Sequence, residues 1–421
     1  MSGLLLVAVL LIAAPQEDDP VLSHRLLYEA LDRQAQLDED SALALFRAAR
    51  DADLSSVDAH YMYVHKAIGR LPHAMTRLRA EYAALPDSPE VLCFRAYVAV
   101  SHSNLPAAYP TLIALQESGQ GGRCPPVLLA KVVGDMKPAH LWEDIRRVYV
   151  EKALEAAPDL EDAQAAQAAM LAGLGRSEEA EALLRQAAAA GSTHPSARMR
   201  HEMRRAALIL SRGDTATAEA LRRAIVAAIE RDGRPGLRMM YLRELRAFVG
   251  TSNTPGNPLD DVLRAQAELA RGYGEWEYEW AARYALAMRL TDRGEPLAAL
   301  GHYDRVVAIS DSVDIPLRRT QAYYKRGRAL RSLGRFERAE SDLMQAVAAG
   351  LKAESPYHLA EAYHNLFHFY DDSGRYSAAE ETVNHFADAV EPLRHSPLRL
   401  TARLDVAEFR WKQGWHAASA R

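Results

Sequence analysis

The chain is short of what disulfide-stapled, metal-clustered and strand-built domains require. It has two cysteines in 421 residues, too few for a disulfide framework or a thiolate metal cluster. Cys93 and Cys124 are therefore expected to be unpaired thiols, Cys93 among apolar neighbours; a single disulfide remains open if the chain is exported. Valine, isoleucine and threonine are sparse, whereas alanine, leucine, arginine and glutamate dominate. Most of these are helix formers that lose little rotamer freedom in a helix. The apolar run Leu4–Ala14 is eleven residues long, against the roughly 20 that a membrane-spanning helix needs. Its length suits the core of a signal peptide, about 7–15 residues. No Lys or Arg precedes it, however, and Pro15 follows its Ala pair directly. Export or an N-terminal anchor is the expectation, with a cytosolic start as the alternative. Residues 1–20 are set apart as that segment plus an acidic spacer, Gln16–Pro20. The net charge of −5 provides no bulk attraction to nucleic acid or to an anionic membrane.

Catalytic signatures are lacking as well. No phosphate-cradling Gly-x-x-x-x-Gly-Lys-Ser/Thr loop occurs, and no Gly-x-Ser-x-Gly elbow. The glycines from Gly119 are too close together for a dinucleotide fingerprint. His201-Glu202 opens like a zinc-protease motif, but Arg205 stands where the second histidine belongs. His364 and His368 lie one helical turn apart and could share a metal face. With no third ligand evident nearby beyond Asp371 and Asp372, they are expected to line a solvated groove. No metal, cofactor or catalysis is expected. Residues 196–250 hold twelve arginines against six acids. These arginines fall on several helical faces beside possible acidic partners, so they read as solvated surface rather than a nucleic-acid stripe.

What the chain does have is a period. Gly294, Gly334, Gly374 and Gly414 recur every 40 residues. Pro296, Phe336, Tyr376 and His416 follow two positions later, and the small residues Ala299, Ala339, Ala379 and Ser419 five positions later. A period of this size marks one supersecondary unit stacked on copies of itself. In Thr320–Leu351, Tyr323, Gly327 and Leu330 sit at helical spacing. Gly334 can end that helix in the left-handed conformation. Phe336, Ala339, Leu343, Ala346 and Val347 then trace a second helix, and the small residues allow close backbone approach.

This pattern resembles the tetratricopeptide repeat, in a bacterial form with units of about 34–40 residues. One position departs: Arg326 stands where the family prefers leucine. The same template fits Glu161–Ser192, Trp280–Asp311 and Ala360–Glu391. Roughly ten helix pairs run from about Val21 onward. The resemblance implies an all-α, right-handed superhelical solenoid of stacked antiparallel helix hairpins. The units divide into residues 21–118, 119–250 and 251–421, with loops at Gly119–Pro126 and Gly250–Pro258. Gly414 is expected to mark a corner followed by an incomplete last unit.

The resemblance also implies function. First helices line the concave side and hold a protein or peptide segment. Carried over by repeat position, the groove residues are Tyr284, Met288, Tyr324, Arg328, Arg331, His364 and His368, with Tyr63 and Tyr97 in the N-terminal units. Lys66, Thr291, Gln321, Glu361 and Asp371 occupy similar positions. Arg328 and Arg331, one turn apart, could grip a carboxylate bidentately. The Lys/Asn carboxylate clamp of some family members is not matched. The expectation is a non-catalytic scaffold. Two alternatives stand beside it: the regulatory arm of a longer effector, such as a caspase-like peptidase or a signalling protein, and a cell-envelope assembly factor.

Overall fold

The computed structural model describes residues 18–71, 73–101, 111, 114–115, 161–189, 194–248, 258–353, 355–393 and 397–419. The segments expected to divide the array, 119–126 and 250–257, lie outside these residues, as does the apolar N-terminus. No described helix is long and apolar enough to cross a membrane. The described residues form helices and no strands. In chain order the helices are α1 (Pro20–Ala35), α2 (Glu39–Ala52), α3 (Val57–Arg70), α4 (Ala74–Ala84), α5 (Pro89–Ser101), α6 (Glu161–Gly173), α7 (Ser177–Ala189), α8 (Pro195–Ser211) and α9 (Thr215–Asp232). They continue with α10 (Pro235–Phe248), α11 (Pro258–Gly272), α12 (Trp276–Asp292), α13 (Pro296–Val313), α14 (Pro316–Ser332), α15 (Phe336–Gly350), α16 (Pro356–Asp372), α17 (Tyr376–Val390) and α18 (Pro397–Ser419). Apart from α5 and α6, and α9 and α10, consecutive described helices pack against one another, which makes a helical solenoid.

The 40-residue period has a simple structural content. A 17-residue first helix turns through a three-residue corner into a 15-residue second helix, and a five-residue link reaches the next proline. Pro316 and Pro356 occupy first-turn positions, where the missing N–H costs nothing. They start each first helix four residues before the repeat template does. At the corner, Gly334 has φ +70. The next residue, Arg335, donates its N–H to Leu330 O at 2.9 Å, the bond that closes a left-handed helix cap. Gly294 and Gly374 repeat this arrangement. Gly414 does not: α18 runs straight through it. The residue four before each true corner glycine is the buried Leu290, Leu330 or Tyr370. Before Gly414 it is the exposed Arg410, so no apolar contact pins a turn there.

Apolar clusters run through the array between neighbouring hairpins. Arginines join one unit to the next. Arg326, the departure from the family pattern, grips the buried Asp342 through Nε and Nη2 at 2.7 and 2.9 Å and reaches Asp304 at 2.9 Å. It thus ties its own second helix to that of the preceding unit. Asp260 takes Arg289 and Arg293, and Glu279 takes Arg283 and Arg305. In 196–250, Arg205, Arg212, Arg222, Arg234 and Arg243 each have an acidic partner.

One set of contacts lies outside the neighbour-to-neighbour pattern. The start of the array packs against its middle. Gly236, at the start of α10, lies so close to the end of α1 that an added Cβ would sit 2.3 Å from Gln34 O. Leu37 joins Met239, Ala270 and Tyr278 in one buried cluster. Beside it, Lys66 Nζ is 2.8 Å from Glu39 Oε2, and the Tyr278 hydroxyl donates to Glu39 Oε1 at 2.8 Å. All three side chains are buried. Burial pushes the Lys66 ammonium down, but Tyr278 and Glu39 outweigh it and hold the pKa above the ordinary lysine value. Arg70 adds a bond to Glu275 at 3.0 Å.

Candidate functional site

The groove residues expected from repeat position divide into two groups. Tyr63, Tyr97 and Tyr324 are 1%, 8% and 4% exposed, and this corrects their assignment as contact residues. Tyr63 donates to Glu81 at 2.7 Å and lies under Arg50. Tyr97 packs edge-on against Phe94. Tyr324 belongs to the core between units. Lys66 is enclosed in the pair with Glu39. Each of these aromatic rings fills space between stacked helices. Cys93, expected as a thiol, is disulfide-bonded; Cys124, the other cysteine, lies outside the described residues.

Tyr284, Met288, Arg328, Arg331, His364 and His368 are half-buried. Arg328 and Arg331 do not converge on one point. Arg328 faces Asp292 of α12 and Arg331 faces Asp372 of α16, each at 3.6 Å. Pairs this exposed contribute little to stability.

The side chains that do converge come from α12, α14 and the first turn of α16. Trp280 anchors them. Its indole N–H donates to the buried Ser310 Oγ at 2.8 Å, and its ring stacks on Tyr284 at 4.7 Å with planes 12° apart. The Arg318 guanidinium lies 4.4 Å over the indole face, within cation–π range. Gln321 and His358 meet at 2.8 Å, and Ser355 holds the other His358 nitrogen at 2.9 Å. Gln321 Oε1 is buried without a hydrogen-bond partner. Lys325 Nζ lies 5.2 Å from the Tyr324 ring centroid.

The electrostatics set this place apart. Neither Arg318 nor Lys325 has a carboxylate within ion-pair reach among the described residues. Burial pushes the Arg318 guanidinium below its ordinary pKa, and Glu277 and Tyr284 offset only part of that. Burial and then Arg328 push the Lys325 ammonium down, against Glu361 and Asp292. Every other described arginine with a displaced pKa moves up, because a carboxylate or hydroxyl holds it. His358 is pushed down to about 4 by burial, with Arg318 and Lys325 adding to it, so its ring is neutral at pH 7. Here Arg318 and Lys325 both act on the buried His358 ring, with too little negative charge beside them. Chemically, it is prepared for an anionic group.

Sequence reasoning missed Arg318, Lys325, His358 and Trp280. A signal was available. Arg318 and His358 lie one turn before Gln321 and Glu361, and Lys325 one turn after Gln321, on the same helical face. The template begins at Thr320, however, and the helix begins at Pro316, so Arg318 fell outside it.

Residues 320–349 match the tetratricopeptide repeat model, within the unit read from the sequence. No curated protein matches the chain. Among solved structures, the chain is similar to a Signal Transduction ATPase with Numerous Domains protein with a tetratricopeptide repeat sensor from Pyrococcus horikoshii. That match has 11% identity and a TM-score of 0.48, over 95% of this chain and 70% of the other. BtubC from P. vanneervenii matches with 16% identity and a TM-score of 0.41, over 56% of this chain and 93% of its own. The apo form of RapI matches with 11% identity and a TM-score of 0.39, over 78% and 82%.

Proposed function

We propose that this tetratricopeptide-repeat protein is a binding scaffold that holds an acidic, extended protein segment across α12, α14 and α16. The observation that carries the reading is Arg318: a guanidinium on the face of Trp280 with no carboxylate partner. A carboxylate of the ligand would supply the missing charge, with Lys325 and Arg328 beside it. Tyr284 and Met288 extend the contact along α12. The surface is preformed, so little ordering cost falls on the scaffold. No residue here is assigned a chemical step.

Fluorescence anisotropy with a labelled glutamate-rich peptide tests the reading. The intact chain should bind it, and Arg318→Gln with Lys325→Gln should weaken binding by about 2 kcal/mol or more, as for other hot-spot residues, with the helical CD signal unchanged. Equal affinity for wild type and double variant contradicts the reading. So does a 5′-phosphorylated single-stranded RNA that binds more tightly through the same two residues, since that would make nucleic acid the ligand class.

Export belongs to the same proposal. The apolar run at residues 4–14 and the disulfide at Cys93 support it, because disulfides persist in oxidising compartments. Fractionation of cells carrying the chain with and without residues 1–20 checks this; identical location of both forms rules it out.

A further inference from the structure

A second cluster lies near the end of the array. His364 and His368 rise one turn apart from α16, their ring centroids 4.5 Å apart and their planes at 86°. Asp405 of α18 meets both: its Oδ2 is 3.0 Å from His364 Nδ1 and 3.6 Å from His368 Nε2. The three donor atoms all lie within 4.8 Å of one another. A tetrahedral centre with bonds of about 2.1 Å sets its ligands about 3.4 Å apart. Small rotations of two half-buried imidazoles bring the set to that spacing.

Asp405 points the same way independently. Its side chain is 12% exposed, yet among the described residues its ionic partners are the two imidazoles. Elsewhere among the described residues, the buried acids Asp260, Glu279 and Asp342 are each held by arginine. Arg331 of α14 pairs with Asp372, and Lys412 of α18 with Asp371 at 3.1 Å. Phe386 and Phe367 flank the imidazoles, with centroids 5.1 and 4.9 Å away.

We propose that His364, His368 and Asp405 form a binding site for a first-row divalent transition metal, zinc in particular. Two imidazole nitrogens and one carboxylate oxygen suit zinc, whereas calcium and magnesium demand oxygen. Three protein ligands leave a fourth position for water. The ligands come from two helices, so occupancy clasps α18 onto α16 and stabilises the docked arrangement by mass action.

The test uses the full chain, stripped with a chelator and titrated with Co²⁺ followed optically, then with Zn²⁺ by calorimetry. The expected result is one metal per chain, with the intense visible band of tetrahedral cobalt, which zinc abolishes. Asp405→Asn and His368→Gln should each weaken binding by roughly tenfold or more, as disturbed metal sites do. Each should also lose the zinc-dependent rise in Tm. His385→Gln, at an imidazole outside the cluster, should change neither. If Asp405→Asn fails to fold by CD without metal, His368→Gln decides, because that side chain is 36% exposed. Absence of stoichiometric binding overturns the proposal, as does wild-type affinity in His368→Gln.

Discussion

At the scale of single residues, two glycines separate steric from conformational roles. A Cβ at Gly327 would stand 2.9 Å from Leu343 Cγ and 3.2 Å from Ala339 O. Gly327→Ala should therefore cost about 1–3 kcal/mol through overpacking. At Gly334 nothing lies within 4 Å, but φ is +70. Gly334→Ala should cost about 1–2 kcal/mol through backbone strain alone. Urea unfolding measures both, and repacking Leu343→Ala should rescue the first and not the second. Histidines set the response to pH. His60 Nε2–H donates to Leu54 O at 3.0 Å, its Nδ1 accepts from the Tyr82 hydroxyl at 2.8 Å, and burial pushes its pKa down to about 4. His358 is shifted to about the same value. A folded pKa below the unfolded value of about 6.5 means that the unfolded chain takes up protons first as pH falls. The stability these groups contribute is complete above about pH 6.5 and is lost as pH falls through 4; His60 alone accounts for about 3 kcal/mol. Urea midpoints measured from pH 7 to pH 4 should fall across that window, and His60→Gln should flatten the slope. A flat profile in wild type contradicts the assignment.

At the scale of elements, local chemistry made the hairpins readable. Gly294, Gly334 and Gly374 mark true corners, because each follows a buried apolar residue by four positions and a left-handed cap forms there. Gly414 has the glycine without that anchor, which is why periodicity alone misplaced a corner inside α18. The small residues Gly327, Ala339 and Ala346 identified the close helix contact in advance. Side-chain destination was harder to read. A tyrosine at a repeat position can face the groove or the next unit, and Tyr324 faces inward while Tyr284 remains half-exposed. His364 and His368 were visible as a pair, but Asp405 lies 41 residues from His364 and only the packing of α18 brings it near. The join between α2, α3 and α12 was equally out of reach, since Lys66 and Tyr278 are 212 residues apart. That join predicts its own mutational pattern. Glu39→Ala leaves the Lys66 ammonium buried without its carboxylate and should cost about 3–5 kcal/mol. Replacing Glu39 and Lys66 together with methionine should restore most of that, because the buried charge is then gone. Equal losses in the single and double variants, measured by urea unfolding, would show that the pair is not the source.

At the scale of the whole molecule, the array folds back so that its start rests on its middle. Gly236 marks the closest point, with its Cβ position against the carbonyls of Gln34 and Ala35. The fold-back brings α3 alongside α12 near Arg318, because Glu277 lies against Gly69 and also acts on Arg318. Binding is expected on the face formed by the first helices α12, α14 and α16. Hydrogen–deuterium exchange of the full chain, with and without a saturating glutamate-rich peptide, tests it most directly. New protection is expected within residues 276–292, 316–332 and 356–372, and none in α13, α15 or α17. Protection confined to those second helices, or absent from 316–332, would contradict it.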